Sequence, residues 1–127
     1  MKMALDDAAG MHLVSAYEPG QVRVGGRSFT ASVIIHPDRI EQDWPVDSPE
    51  AIDSRSLRTV CDAGPELLVL GTGERQVFPS PRVFTTLMDL GIGYEVMDNG
   101  AACRTYNILV AEGRRVALAL ILTGVNK

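Results

Sequence analysis

The 127-residue chain is predicted to fold as one α/β domain on a largely parallel sheet. Three observations carry that expectation. Short strands that are apolar at every position, Leu67–Leu70 and Val116–Leu122, recur in the C-terminal half. Between them lie stretches with helical apolar spacing. The first third is punctuated by Glu18-Pro19-Gly20-Gln21 and Gly25-Gly26 and has the form of β-hairpins. Strands buried on both faces and joined by amphipathic helices belong in a parallel sheet covered by helices.

The elements follow in chain order. His12–Tyr17 leads into Glu18–Gln21, where proline fits the first central position of a type II turn and glycine the second. Val22–Val24 and Arg27–Ile35 flank a two-residue glycine connection able to take positive φ. Phe29, Ala31, Val33 and Ile35 alternate, and Ile34 joins them, so this strand should start half exposed and finish buried on both faces. His36-Pro37 stops it, and a shorter strand, Ile40–Trp44, is closed by Pro45. Asp47–Ser56 is polar and reads as a loop; Ser54 then caps a short helix with Leu57, Val60 and Cys61 on one face, ended by Gly64-Pro65.

From Glu66 the rhythm changes. After Leu67–Leu70, Ser80 and Pro81 supply an N-cap and a first-turn proline for a helix with Val83, Phe84, Leu87 and Met88 inward, stopped at Gly91. Tyr94–Met97 is the next strand. Asp98 or Asn99 caps a second helix with Ala102, Tyr106, Leu109 and Val110 inward and Gly113 beyond it. Val116–Leu122 completes a β-α-β-α-β half with right-handed crossovers. The N-terminal hairpins must extend that sheet or cap it. The domain spans residues 1–127, with 1–11 a flexible tail and 12–122 the core.

Apolar content of 46% with 22% charged residues is ordinary for a globular domain. The net charge of −4 gives no general attraction to nucleic acid or anionic membrane. It arises in residues 1–65, with ten acids against six bases; residues 66–127 carry six of each. Cys61 and Cys103 are far apart, make no C-x-x-C, and read as buried reduced thiols. The start, MKMALDDAAG, has no apolar core of a signal peptide, and the apolar run Ala117–Leu122 is too short to span a bilayer. Cytoplasm is the compartment these features suggest.

The chemistry-bearing candidate is the loop at Gly71-Thr72-Gly73, at the carboxyl end of a strand, where open α/β sheets bind ligands. A dinucleotide fingerprint needs a third glycine or alanine where this chain has Gln76, and a helix that begins inside the motif. A phosphate-binding P-loop needs a lysine, and the only lysines are Lys2 and Lys127. The glycines therefore read as a tight exit and close packing. A weaker ligand reading gathers Gly71, Thr72, Gly73, Ser80, Arg82 and Asn107 into a mouth for a small anion or carboxylate, on the free N–H groups of the helix starting at Ser80. Asn107, poor in a helix interior, needs partners if buried, and the backbone of the Gly71–Gly73 loop is one.

Other chemistries find less support. His12 and His36, the only histidines, lack neighbours at metal-ligand spacing, so no metal or cofactor is expected. There is no G-x-S-x-G elbow, and a Cys103–His catalytic pair has no local signature, so the balance leans away from an enzyme. Asp38, Glu41, Asp43 and Asp47 read as a solvated acidic edge that discourages strand pairing. Trp44 is a candidate anchor for a protein partner, with a core or turn aromatic as the alternative.

The residues "LLVLGTG", the proline-bearing loop after them, "LGIGYEVMDNGAACRTYNILVAEGRRVALAL" and the single Trp44 resemble a small family of uncharacterised domains. That family includes the mitochondrial respiratory complex I assembly factor and an adipogenesis-associated cytosolic protein. The resemblance covers about residues 12 to 122, and its most specific piece is Thr105-Tyr106-Asn107 with Leu109, Glu112 and Arg114. It implies a three-layer α/β fold with a central mixed sheet. It also implies, in one branch, a non-catalytic assembly factor that works by contacting other proteins. The acidic start lacks the arginine-rich character of a mitochondrial targeting segment, so the chain resembles a bacterial-type member. The expected partner is another protein, with a homodimer compatible, and no nucleic acid. The alternative function is a small-molecule or anion binder, or an enzyme, with its site near Gly71–Gly73.

Overall fold

A computed structural model describes residues 10–123. The tail expected over residues 1–11 lies, up to residue 9, outside the described residues. Among the described residues eight strands and three α-helices follow one another: β1 Val14–Glu18, β2 Gln21–Val24, β3 Arg27–Phe29, β4 Val33–Ile35, β5 Ile40–Glu41, α1 Arg58–Ala63, β6 Leu67–Gly71, α2 Thr85–Asp89, β7 Gly93–Met97, α3 Asn99–Ala111 and β8 Val116–Leu120. Single 3-10 turns stand at Pro49–Ala51 and Pro81–Phe84.

The strands form two sheets. β5-β4-β8-β6-β7 is a mixed sheet, and β1-β2-β3 is a separate antiparallel meander. The C-terminal β-α-β-α-β half pairs as its pattern requires, with β6 parallel to both β7 and β8. β4 lies antiparallel to β8, and β5 antiparallel to β4. The N-terminal third therefore does two things: β4 and β5 extend the main sheet, and the meander covers one of its faces.

Period-two alternation sorts the sheet's side chains between two cores. Val33, Ile35, Val69, Val116, Leu118 and Leu120 face one core, with Ala102, Tyr106 and Val110 of α3 and Val14, Val22 and Phe29 of the meander. Ile34, Leu68, Leu70, Ala117 and Ala119 face the other, with Trp44, Val46, Leu57, Val60, Phe84 and Leu87. The result is three layers: α3 with the meander, the mixed sheet, and α1 and α2 with the segment before α1.

Several expected boundaries moved. The run Arg27–Ile35 is two strands in different sheets, broken at Thr30–Ser32. Buried Ser32 sits at the break, and its Oγ accepts from Leu122 N at 2.9 Å. The apolar alternation of the sequence runs through the break and carries no mark of the change of sheet, although Ala31, expected inward, is exposed there. Ile40–Trp44 shortens to Ile40–Glu41, because Asp43 takes φ 57° and turns the chain. α1 has no Ser54 cap; Asp53 and Ser56 bond reciprocally instead, with Ser56 N donating to Asp53 Oδ1 at 2.8 Å and Asp53 N to Ser56 Oγ at 3.0 Å.

The helix expected from Ser80 opens as a 3-10 turn, and its hydroxyl caps nothing. Three residues per turn shift the apolar stripe, so Phe84 and Leu87 are buried while Met88 is 63% exposed. α3 is capped by Asp98, whose Oδ1 accepts from Ala101 N at 2.9 Å. Among the described residues no helix is long and apolar enough to cross a membrane.

Candidate functional site at the strand ends

β6 delivers Gly71, Thr72 and Gly73 to the carboxyl edge of the sheet, between the ends of β7 and β8. Thr72 N donates to Met97 O at 3.0 Å, and Ile121 N donates to Gly71 O at 3.0 Å. The turn beyond closes on the Thr72 hydroxyl, which donates to Arg75 O at 2.6 Å and accepts from Val77 N at 3.0 Å. Thr72 is buried, so its side chain organises the loop from within.

The space above the loop belongs to Asn99. Its Oδ1 accepts from Gly73 N at 3.0 Å, and its Nδ2 donates to Ile121 O at 3.0 Å and to Tyr17 Oη at 3.2 Å. Its backbone N–H donates to Gly73 O at 2.8 Å. A Cβ on Gly71 would collide with Asn99 Oδ1 and come within 2.7 Å of Leu120 Cδ2. Gly71 is thus a packing glycine: the first residue of α3 can seat its amide over the strand end only because no side chain stands there. The Tyr17 hydroxyl donates to the Glu74 carboxylate, which ties the meander to the same loop. Burial, and after it the bond to Glu74, raise the Tyr17 hydroxyl above the usual tyrosine range.

The expected site residues are not all brought together. Gly71, Thr72 and Gly73 form one loop, while Ser80 and Arg82 are exposed at the 3-10 turn ahead of α2. The α-helix itself starts at Thr85, so no full turn of aligned helical N–H groups begins at Ser80. Asn107 is buried, as its mid-helix position suggested, but it does not reach the loop. Its Oδ1 accepts from Val14 N at 2.9 Å and its Nδ2 donates to Val14 O at 2.8 Å, the bonding of an extra strand against β1. Asn99 holds the loop in its place. The adjacent pair Asp98-Asn99 was the available signal, since one residue caps the helix and leaves the other's amide for a different task.

Trp44 is 6% exposed, and its indole N–H donates to Ser56 O at 2.8 Å. With Ile34 and Pro45 it lines a cleft of about 420 Å³ that also has Asp43, Asp53 and Arg55 in its wall. At the end of β4, buried His36 has Nε2 2.7 Å from Glu41 Oε2, and Arg39 stands 3.6 Å from the same oxygen. Among the described residues no group of three His, Cys, Asp or Glu could hold a metal ion.

The fold defines a class: a three-layer α/β domain, here with the Asn99 amide bonded across the strand end at Gly71. The chain belongs to the family described as "Protein of unknown function (DUF498/DUF598)", whose model matches residues 14–121. It is 32% identical over 91% of its length to the NADH dehydrogenase [ubiquinone] 1 alpha subcomplex assembly factor 3 of Xenopus tropicalis, and spans 63% of that protein. It is also 30% identical, over 65% of its length and 67% of the relative's, to the "13 kDa major membrane protein" of Francisella tularensis. A crystal structure from Bordetella parapertussis superposes with TM-score 0.84 at 39% identity, over 92% of this chain and all of that one. The three-layer mixed fold and the family membership anticipated from the motifs are thus both shown.

Proposed function

We propose that the chain is a protein-interaction module of the assembly-factor type. One observation carries the reading: the strand-end position where an α/β sheet would hold a cofactor is filled from within by Asn99. Similarity to the assembly factor over 91% of this chain supports it. In the finer form of the proposal the module assists respiratory-complex biogenesis in the cytoplasm, in keeping with its unpaired cysteines Cys61 and Cys103. The cleft beside Trp44, with acidic residues in its wall, is one candidate seat for a partner segment.

Two experiments test this. Affinity capture with cross-linking should return a defined partner, and deletion of the chain should lower assembled NADH dehydrogenase on native gels. A thermal-shift screen with anions, nucleotides and flavins should leave the melting temperature unmoved. A ligand at a hundred times its Kd adds about 2.7 kcal/mol of stability. A shift of that size, with no captured partner, would replace the interaction reading with a small-ligand site near Gly71–Gly73.

A further inference from the structure

Strand β7 ends the main sheet, with β6 its only neighbour in the strand order among the described residues. The parallel ladder fixes which backbone groups are used. Gly93 N donates to Glu66 O and Thr72 N to Met97 O, so residues 93, 95 and 97 turn their backbone toward β6. Tyr94 and Val96 turn theirs to the open side. One of these outward groups already has a partner: Gln76 Nε2 donates to Val96 O at 2.8 Å.

The side chains along this edge differ by face. Glu95 is exposed beside exposed Gly93, on the face that carries α3. Tyr94 and Val96 lie on the other face, where Tyr94 stacks on Phe84 with ring centroids 4.0 Å apart. Large apolar side chains stand in solvent on the segments that flank the edge. Phe78, two residues beyond Gln76, is 69% exposed; Met88 and Leu90, where α2 runs into β7, are 63% and 57% exposed. The edge is partly covered, with Val96 buried under the Gln76 latch and Tyr94 half-buried; with the latch displaced, a strand edge flanked by exposed apolar groups is a template for an incoming strand.

Charge decides whose strand it is. An antiparallel strand that bonds both Tyr94 and Val96 puts its middle residue opposite Glu95, as a non-hydrogen-bonded pair with Cα atoms about 4.5 Å apart. In a second copy of this chain paired symmetrically about residue 95, the register that bonds Tyr94 and Val96 of both copies, that residue would be Glu95 again, and like charges directly opposite are destabilising. We infer that the outer edge of β7 docks an extended segment of another protein with the pattern apolar–basic–apolar, its lysine or arginine set against Glu95. Gln76 is the latch that this strand displaces from Val96. The inference rests on the protein-interaction reading above and names the surface and the partner's chemistry.

The full chain, labelled with ¹⁵N, should be titrated with blocked peptides Thr-Val-Lys-Val-Thr and Thr-Val-Glu-Val-Thr up to millimolar concentration. The lysine peptide should shift the amides of Tyr94 and Val96 and the Gln76 side-chain amide, and bind about tenfold more tightly than the glutamate peptide. Glu95→Lys should reverse the preference, and Gln76→Ala should tighten the lysine peptide about fivefold. Equal binding unchanged by Glu95→Lys, or no shift at millimolar peptide, overturns the inference. So does a sedimentation dimer that Glu95→Lys alters, because the occupant is then a second copy. Shifts confined to the Trp44 cleft sink the β7 edge and leave the protein-interaction reading standing; only failed capture together with a positive ligand screen removes that.

Discussion

Gly71 and Asn99 show how a glycine-rich strand exit can serve packing. Gly71 must lack a side chain because Asn99 Oδ1 and Leu120 Cδ2 occupy the place a Cβ would take. Gly71→Ala should therefore lower stability by about 1–3 kcal/mol, the usual range for overpacking, read by urea unfolding. Asn99 satisfies Gly73 N, Ile121 O and the Tyr17 hydroxyl at once. Asn99→Ala should cost about 2–4 kcal/mol, because it leaves buried backbone groups without partners. A measured loss below about 0.5 kcal/mol would mean that water or a shifted loop replaces the amide. The glycines were legible as geometry in the sequence. Asn99 was legible only as an alternative cap, since a helix-start asparagine looks the same whether it caps or reaches across a sheet end.

Between elements, the decisive contact is that of α3 with the meander. The Asn107 amide meets both backbone groups of Val14, and the Tyr106 hydroxyl donates to His12 O at 2.7 Å. All three bonds bridge more than ninety residues of chain. They finish the outer side of β1 with side chains of a helix in place of another strand. Asn107→Ala should speed hydrogen exchange at the Val14 amide while leaving the β6 amides as they are, with about 1–3 kcal/mol lost overall. Uniform acceleration through the sheet would show instead that the meander does not open separately. Asn107 stood out from its mid-helix position, as a poor helix former that needs partners if buried. Its partner did not, because no local pattern pairs a helix amide with a strand so far away in sequence.

Across the molecule, buried hydroxyls and a thiol set the alkaline limit. Burial pushes the Cys103 thiol up to about 12 from its ordinary 9.0. It also raises the Tyr106 hydroxyl, and the Tyr17 hydroxyl with help from Glu74. The folded state resists losing these protons, whereas the unfolded chain gives them up sooner. Their contribution is therefore complete below about pH 9 and is lost as pH rises from there toward about 12. Urea midpoints at pH 8, 9 and 10 should fall in that order, and Cys103→Ala should flatten the first part of the fall. Cys61 is only half buried, although burial raises its thiol as well. A disulfide reagent at pH 8 should accordingly titrate Cys61 in the native protein and Cys103 only on unfolding. Equal rates at the two sites would contradict the burial of Cys103 on the inner face of α3.

The order of strands and helices in the C-terminal half, the two buried faces of β6 and β8 and the parallel pairing of β6 with β7 and β8 were determined by the sequence itself. Apolar periodicity records how many faces of an element are covered, and that requirement is local. The split of Arg27–Ile35 between two sheets, the seat of Asn99 over Gly71 and the union of Asn107 with Val14 were decided only in three dimensions. Each depends on which distant backbone groups lack partners after the chain has packed. That count of donors and acceptors exists only once the layers have met.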